Sequence, residues 1–465
     1  MLKAPDHGPR QSDPAPTKRT VTRRRFTALA GVLSAGVVGC AQGASGPQAG
    51  DAKPAGAPAA KPTGPIRVQQ WDAPSSPFGL WLKEYLESFP AKSGIQLEIL
   101  PRKTDVTPSQ EQTIWVAAGD VPDIFFRTGR GLVPYAVFAS KNVIRPLDPF
   151  IKRDKWDQSD FWPNLIKLMT AKAQQWVIPQ DFNQTLFAYN VSFLKQAGVA
   201  APPSDWKNQS WTWDELVKRA QQIQGRIGAD GTKWALGRVQ GNWPLYVWSN
   251  GGDYLSTDGK KVLLAEASAV EALDFVAKIL HTHRVAPTPS TPLPPGSALG
   301  TQSVAMDNLA AAGINAIRGQ SKDLDFDTCL VPRASTGKYV SGGGGGGYVM
   351  SSSSKHPDAA WELLKYIGAK EYATNKVKNG ALGPRISTAK EVFVQPGIPP
   401  VHAAVYFDAP ANARWEPNLT NWDDVQSDVG KALTPLWNGT VSAREAAAEA
   451  KRAFDLRLTE GELFQ

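Results

Sequence analysis

The sequence predicts an α/β fold, and three observations support this prediction. The chain has 465 residues, enough for two or three packed domains, and 42% of them are hydrophobic. Strand-like and helix-like segments alternate from residue 66 to residue 126. After residue 65 no stretch of 18 or more apolar residues occurs, which excludes a polytopic membrane protein.

The alternating segments follow one another in a regular order. Residues 66–71 alternate between apolar and polar side chains like a strand, and residues 78–89 carry apolar side chains at helical spacing. A second strand is predicted at 95–100, a helix at 110–118 and a third strand at 122–126. This order is typical of a parallel sheet with crossover helices.

Six consecutive glycines, Gly342 to Gly347, interrupt the later part of the chain. One interpretation is a flexible linker between independent domains. The favoured interpretation is a place where the backbone crosses between lobes or approaches a ligand closely, because strand-like residues follow at once. Further helices are predicted at 212–224, 268–280, 359–367 and 443–458, and a proline-rich surface loop at 287–295.

Residues 1–39 have the composition of an export signal. Three arginines, Arg23 to Arg25, precede a 13-residue apolar stretch that ends at Val38, and they resemble a twin-arginine signal. Gly39-Cys40 then resembles a lipoprotein cleavage site, so we expect lipid on Cys40. Residues 40–65, rich in Ala, Gly and Pro, are predicted to be a flexible tether. We therefore expect transport by the twin-arginine export machinery and a lipid anchor on the outer face of the cytoplasmic membrane.

The positive charge belongs mainly to this export segment. The chain has a formal net charge of +8, and residues 1–39 supply +5 of it with seven basic and two acidic side chains. The remaining +3 is not clustered with aromatic residues, so no nucleic-acid partner is predicted. Besides Cys40, the sequence has only Cys329, which is expected to be a small buried core residue.

Short blocks occur along the chain in a fixed order. They are Ala117-Ala118-Gly119-Asp120-Val121-Pro122-Asp123-Ile124, 143–148, 176–179, 187–190, 197–199, 202–203, 213–216, 248–252, 272–275, 300–306, 356–361 and 383–385. Together they resemble the extracellular solute-binding proteins of ABC importers, in particular the sugar-binding group that includes maltose-binding protein. Each block alone has little specificity, whereas their common order behind an export signal is specific.

The resemblance implies a type II periplasmic-binding-protein-like fold, with two α/β lobes joined by a hinge and a ligand cleft between them. Lobe 1 would comprise residues 66–184 and 344–386, and lobe 2 would comprise residues 185–343 and 387–465. It also implies a monomer that closes on a carbohydrate and delivers it to the transmembrane subunits of an ABC permease. No cofactor, metal or catalytic residue is expected.

Carbohydrate binding requires two kinds of side chain. Aromatic rings stack on the apolar C–H faces of a sugar, while Asp, Asn and Arg bind its hydroxyl groups. The predicted ligand-binding residues are Trp71, Asp72, Arg127, Asp181, Trp243, Trp248, Asn250, Asp307, Gly345, Arg385 and Trp415. Alternatives remain: Trp71 and Trp248 could be core residues, Arg127 and Arg385 could be solvated or form salt bridges, and Asp181 could cap a turn.

Two other functions stay open at this point. A binding protein for a glycerophosphodiester or polyol phosphate would use Arg127 and Arg385 to hold the anion. A surface polysaccharide hydrolase is the weaker alternative, because the sequence lacks a Gly-x-Ser-x-Gly elbow, a phosphate-binding Gly-x-x-x-x-Gly-Lys loop and a His-Glu-x-x-His helix.

Overall fold

The computed structural model describes residues 62–103, 105–129, 134–228 and 230–464. The predicted export segment, the lipid site at Cys40 and all but the last four residues of the 40–65 tether lie outside the described residues. Within the described part of the chain, no helix combines the length and the apolar character needed to cross a membrane.

The described residues form eleven strands and fifteen α-helices. The strands are β1 (Ile66–Gln70), β2 (Leu97–Pro101), β3 (Ile124–Thr128), β4 (Ile144–Arg145), β5 (Thr170–Ala171), β6 (Gln174–Gln175), β7 (Ile178–Asn190), β8 (Trp234–Leu236), β9 (Val304–Ala310), β10 (Phe326–Cys329) and β11 (Gly342–Ser351). The predicted strands at 66–71, 95–100 and 122–126 are confirmed as β1, β2 and β3, with ends shifted by one or two residues.

The helices are α1 (Pro77–Ser93), α2 (Pro108–Ala118), α3 (Tyr135–Ser140), α4 (Asp148–Asp154), α5 (Pro163–Leu168), α6 (Val191–Ala197), α7 (Trp213–Ile227), α8 (Trp243–Ser249), α9 (Ala267–His281), α10 (Ile314–Gln320), α11 (Pro357–Ile367), α12 (Lys370–Lys378), α13 (Ile386–Val392), α14 (Trp422–Trp437) and α15 (Ala443–Glu460). Every predicted helix is present. The predictions omitted several helices, among them α12.

Side-chain caps fix where the early helices begin. The Ser76 hydroxyl accepts a hydrogen bond from the Gly79 amide at the start of α1. Thr107 and Gln110 form a reciprocal capping box at the start of α2. Thr212 caps α7 by accepting from the Glu215 amide. The caps of α1 and α2 end the turns that follow β1 and β2.

The main sheet is mixed. Its strand order is β2-β1-β3-β11-β7-β9-β8, with β10 paired to β7 and β4 paired to β11. The pairing of β1 with β2 and β3 is parallel, as the sequence predicted. However, β11 is antiparallel to both β3 and β7, and β9 is antiparallel to β7. The long strands β7 and β11 therefore connect the parallel part of the sheet to the remaining strands.

Two hydrophobic cores flank these central strands. One core contains Ile66, Val68 and Leu82 together with Trp361 from α11. The other contains Trp211 and many residues of α7, α9, α14 and α15. Cys329 is fully buried in this second core, which confirms the prediction for this residue.

The glycine run forms the first six residues of β11, so the flexible-linker interpretation is wrong. The run lies between β3 and β7 and forms ladder pairs with both strands. A Cβ atom on Gly346 would lie 2.1 Å from Cζ of Phe126, and one on Gly347 would lie 1.9 Å from the Ile178 carbonyl oxygen. Glycine is needed there because neighbouring groups fill the space of a side chain.

Candidate functional site

A cleft of about 580 Å³ opens beyond the carboxyl end of β1. It is lined by the β1–α1 connection, by β7, by α10 and by the region of α12 and the residues after it. Ligands of open α/β sheets bind at such strand ends, where the connecting loops supply polar groups. Three predicted site residues, Trp71, Asp72 and Asp181, line this cleft together.

Strand β7 borders the cleft and pairs with β11, where Gly344 leaves open space. In the antiparallel ladder, Asp181 pairs with Gly346 and Asn183 pairs with Gly344. A Cβ atom on Gly344 would meet no atom within 4 Å. Paired residues share one face of a sheet, so the open space at Gly344 lies on the same face as Asn183. The Asn183 Oδ1 atom is buried and has no hydrogen-bond partner within the described part of the chain.

A buried ammonium group joins the two carboxylates of the cleft. The Nζ atom of Lys376 lies 2.8 Å from Oδ1 of Asp72 and 4.0 Å from Oδ2 of Asp181. The same ammonium lies 4.2 Å from the centroid of the Phe78 ring. The Gln180 amide donates to Oδ2 of Asp72 at 3.0 Å. These contacts fix the orientation of Asp72 and Lys376.

Burial changes the acidity of Asp181. The Gly346 amide donates to its Oδ1 atom at 3.0 Å. Burial raises the pKa of the Asp181 carboxyl group, and the charge of Asp72 acts in the same direction. The Lys376 ammonium and the Gly346 amide oppose this rise in pKa. Asp181 is therefore a desolvated hydrogen-bonding group.

Trp71 forms an aromatic wall of the cleft. Its indole stacks on Phe126 with ring centroids 4.2 Å apart and an interplanar angle of 14°. The guanidinium carbon of Arg102 lies 4.9 Å from the indole centroid. Phe126 in turn covers Gly346. The indole is half-buried and held in one position, so its contact surface is preorganised.

Helix α10 supplies part of the lining and contacts the end of α12. The Asn315 amide donates to the Lys378 carbonyl at 2.9 Å. The Arg318 guanidinium donates to Oδ1 of Asn315 at 3.0 Å and to the Pro399 carbonyl at 2.7 Å. Lys376 and Arg318 are the cations among the described residues that line the cleft, and both already have partners.

The two predicted anion-binding arginines do not line this cleft. Arg127 is 2% exposed and donates hydrogen bonds to the Gln112 side chain and the Pro134 carbonyl. Burial lowers its pKa to about 9. Arg385 donates to the Gly368 carbonyl at 2.7 Å and pairs with Asp160 at 3.4 Å. Arg385 thus forms a salt bridge, as one alternative anticipated. Arg127 is buried instead, and its hydrogen-bond partners Gln112 and the Pro134 carbonyl are uncharged.

Three further predicted residues lie on or beside α8. The Trp248 indole is 5% exposed and donates to Oδ1 of Asp253 at 3.1 Å. Trp243 meets Tyr254 edge to face at a centroid distance of 5.2 Å. The Asn250 amide donates to the Ser268 carbonyl at 2.9 Å. None of the three is among the residues that line the 580 Å³ cleft.

The remaining predicted residues are dispersed. Asp307 lines a second cavity of about 470 Å³ with Asn308 and Arg238, and burial raises the pKa of its carboxyl group to about 7. Gly345 faces Leu165 within β11, where a Cβ atom would lie 2.6 Å from Cδ1. Trp415 is half-buried and packs against the larger core.

Sequence reasoning missed most of the residues that line the cleft, among them Phe78, Asn183, Asn315 and Lys376. Lys376 and Asp72 are separated by 304 residues along the chain, so no local motif links them. Asn183 could have been identified, since it lies two residues after Asp181 and the two side chains share a strand face.

Comparisons with known proteins show the family and the fold of this chain. The family model described as bacterial extracellular solute-binding protein matches residues 72–374. An ABC substrate-binding protein from Listeria monocytogenes in complex with cycloalternan has 20% identity and a TM-score of 0.73, covering 85% of this chain and 98% of that protein. Maltose-bound MalE3 of T. maritima has 19% identity and a TM-score of 0.69, with coverage of 84% and 99%. UgpB from Mycobacterium tuberculosis in complex with glycerophosphocholine has 17% identity and a TM-score of 0.71, with coverage of 86% and 100%.

Proposed function

Because the chain belongs to the bacterial extracellular solute-binding protein family, we propose that it captures a mono- or oligosaccharide and delivers it to the permease of an ABC importer. The predicted fold class, the type II periplasmic-binding-protein fold, is confirmed by the similar structures. The residue boundaries of the two lobes stay a prediction.

The observation that carries this proposal is the composition of the cleft. The cleft combines the fixed indole of Trp71 and the buried carboxylate of Asp181 with the amide oxygen of Asn183, which has no hydrogen-bond partner among the described residues. Sugar C–H groups would pack against the indole, while hydroxyl groups would donate to the carboxylate and amide oxygens. Closure about a hinge would exclude water and penalise a ligand that lacks one of these hydroxyl groups.

The similar proteins support the same ligand class. Two of the structures described above contain cycloalternan and maltose. Their sequence identity to this chain is about one fifth, so the sugar itself is not transferred to this protein. The family and these structures are binding proteins, and we propose that this chain likewise has no hydrolase activity.

A glycerophosphodiester is the second candidate ligand, because UgpB was crystallised with glycerophosphocholine. A free cation in the cleft would stabilise a phosphate group. Lys376 is paired with Asp72, and Arg318 is hydrogen-bonded to Asn315 and the Pro399 carbonyl. The described cleft residues therefore favour a neutral ligand over an anionic one.

We also propose that export follows the twin-arginine route and that Cys40 carries the lipid anchor. The support is the sequence pattern of residues 22–40. A Cys40→Ser variant should move from the membrane fraction to the soluble exported fraction. An unchanged membrane fraction would contradict anchoring through this cysteine.

A thermal-shift screen tests the ligand class. Mono- and oligosaccharides, glycerophosphocholine and peptides are added to the purified protein, and at least one carbohydrate should raise Tm. Stabilisation by glycerophosphocholine alone, or by peptides alone, would reject the carbohydrate proposal. A chromogenic glycoside incubated with the same sample should remain uncleaved, since turnover would indicate a hydrolase.

A further inference from the structure

We propose that Lys376 is a specificity-determining residue: its ammonium group occupies the position that a ligand cation would take and excludes cationic ligands from the cleft. The inference rests on the proposed function of the cleft as a ligand site. The excluded ligands are amines and quaternary ammonium compounds. The carboxylates and aromatic rings of the cleft would attract them if Lys376 were absent.

The surroundings of the Lys376 ammonium are those of a cation-binding site. One aromatic face, that of Phe78, lies 4.2 Å from Nζ. The Asp72 carboxylate lies at 2.8 Å and the Asp181 carboxylate at 4.0 Å. An aromatic face combined with carboxylates is also how proteins bind ammonium ligands. In this protein the cation is the ammonium group of Lys376 on α12.

Burial and packing hold the ammonium in this position. The Lys376 side chain is 10% exposed. One turn earlier on α12, Tyr372 is fully buried and meets Phe78 edge to face at 5.7 Å. The hydrogen bond from Asn315 to the Lys378 carbonyl holds the carboxyl end of the helix. Lys376 is therefore a fixed part of the wall, unlike a surface lysine that moves freely in water.

The negative charges of Asp72 and Asp181 explain why an external cation should bind when the Lys376 side chain is removed. Without Lys376, Asp72 and Asp181 would remain as two partly buried carboxylates, with side-chain exposures of 19% and 12%. Buried carboxylates without a counter-charge are costly, so one of the two would either take up a proton or attract a cation from solution. Arg318 does not fill this role, because its guanidinium is bonded to Asn315 and the Pro399 carbonyl.

Chemical rescue separates this role from a merely structural ion pair. Lys376→Ala removes the atoms of an n-propylammonium ion, so n-propylammonium chloride is the probe and n-propanol is its neutral control. The probe should raise the Tm of Lys376→Ala well above any effect on the wild type. It should bind the variant about tenfold or more tightly than it binds the wild type. n-Propanol should have no such effect.

Two matched variants complete the experiment. Lys378→Ala removes an exposed lysine from the same helix and should behave as the wild type. Lys376→Arg keeps the charge and should exclude the probe. If Lys376→Ala does not fold alone, it is refolded with each additive. Recovery with n-propylammonium alone supports the proposal, and recovery with neither additive or equally with both contradicts it.

A folded Lys376→Ala that does not bind n-propylammonium would overturn the inference. The sugar screen on the wild type is run in parallel and tests the proposed function separately. If the wild type binds no sugar but the variant binds n-propylammonium, the proposed function fails and the assignment of the cation position stands.

Discussion

Asp181 is the residue at which the site and the fold are most closely connected. Its carboxylate accepts from the Gly346 amide, lies near Lys376 and lines the cleft. We expect Asp181→Asn to weaken binding of the carbohydrate found in the screen by about tenfold to a hundredfold, because a charged hydrogen-bond acceptor is lost. Calorimetric titration measures this, with the exposed Asp323→Asn as the control. Equal affinity in both variants would remove Asp181 from the site.

The raised pKa of the Asp307 carboxyl group should make the stability of the protein depend on pH. Burial raises the pKa of this carboxyl group to about 7, against about 4 in an unfolded chain. The folded state therefore keeps a proton that the unfolded state has released, and stability is lost as the pH rises towards 7. Relative to Asp307→Asn, the wild type should lose roughly 2 kcal/mol of unfolding free energy between pH 5 and pH 7.

Chemical denaturation at pH 5, 6 and 7 measures this difference. Asp323→Asn, an exposed substitution, serves as the control and should follow the wild type. A difference between the wild type and Asp307→Asn that stays constant with pH would show that Asp307 does not retain its proton in the folded state.

At the scale of elements, the glycine strand β11 offers a matched pair of substitutions. Gly346→Ala would place a methyl group 2.1 Å from the Phe126 ring, whereas Gly344→Ala would enter open space. We expect Gly346→Ala to lower the unfolding free energy by about 1–3 kcal/mol, because the sheet and the Trp71–Phe126 stack must shift. Gly344→Ala should be nearly neutral. Urea denaturation compares the two, and equal losses would contradict this packing.

Elements with strong local signals could be predicted from the sequence. Alternation and caps identify β1, α1, α2 and α7, since each has an apolar periodicity or a cap of its own. Helix α12 was missed because its sequence is mostly polar, with Tyr372, Ala373 and Val377 as its buried apolar residues. Missing this helix also meant missing Lys376.

Local sequence patterns also do not show which candidate residues face the cleft. Trp71 and Trp248 are both tryptophans near the ends of elements, yet only Trp71 lines the cleft. Arg127 comes directly after the strand predicted at 122–126, but it lies within β3, and its guanidinium donates to Gln112 and the Pro134 carbonyl. Which side chain faces the cleft depends on tertiary packing, and residue type does not encode it.

At the scale of the whole molecule, the proposed function requires two parts of the chain to close on one ligand. Asn315 and Lys376 line the same cleft from α10 and α12, although the proposed boundaries place these helices in different lobes. Small-angle X-ray scattering should therefore show a smaller radius of gyration when the carbohydrate is added. Maltose-type sugars that cause no Tm shift serve as controls. An unchanged radius of gyration with a saturating ligand would contradict closure.

The most direct test of the account is a crystal structure of the protein with the carbohydrate that gives the largest Tm shift. If the cleft binds carbohydrate as proposed, sugar density will lie against the Trp71 indole, with hydroxyl groups within hydrogen-bond distance of Asp181 and Asn183. Density elsewhere, for example beside Asp307 in the second cavity, would contradict the assignment of the binding site.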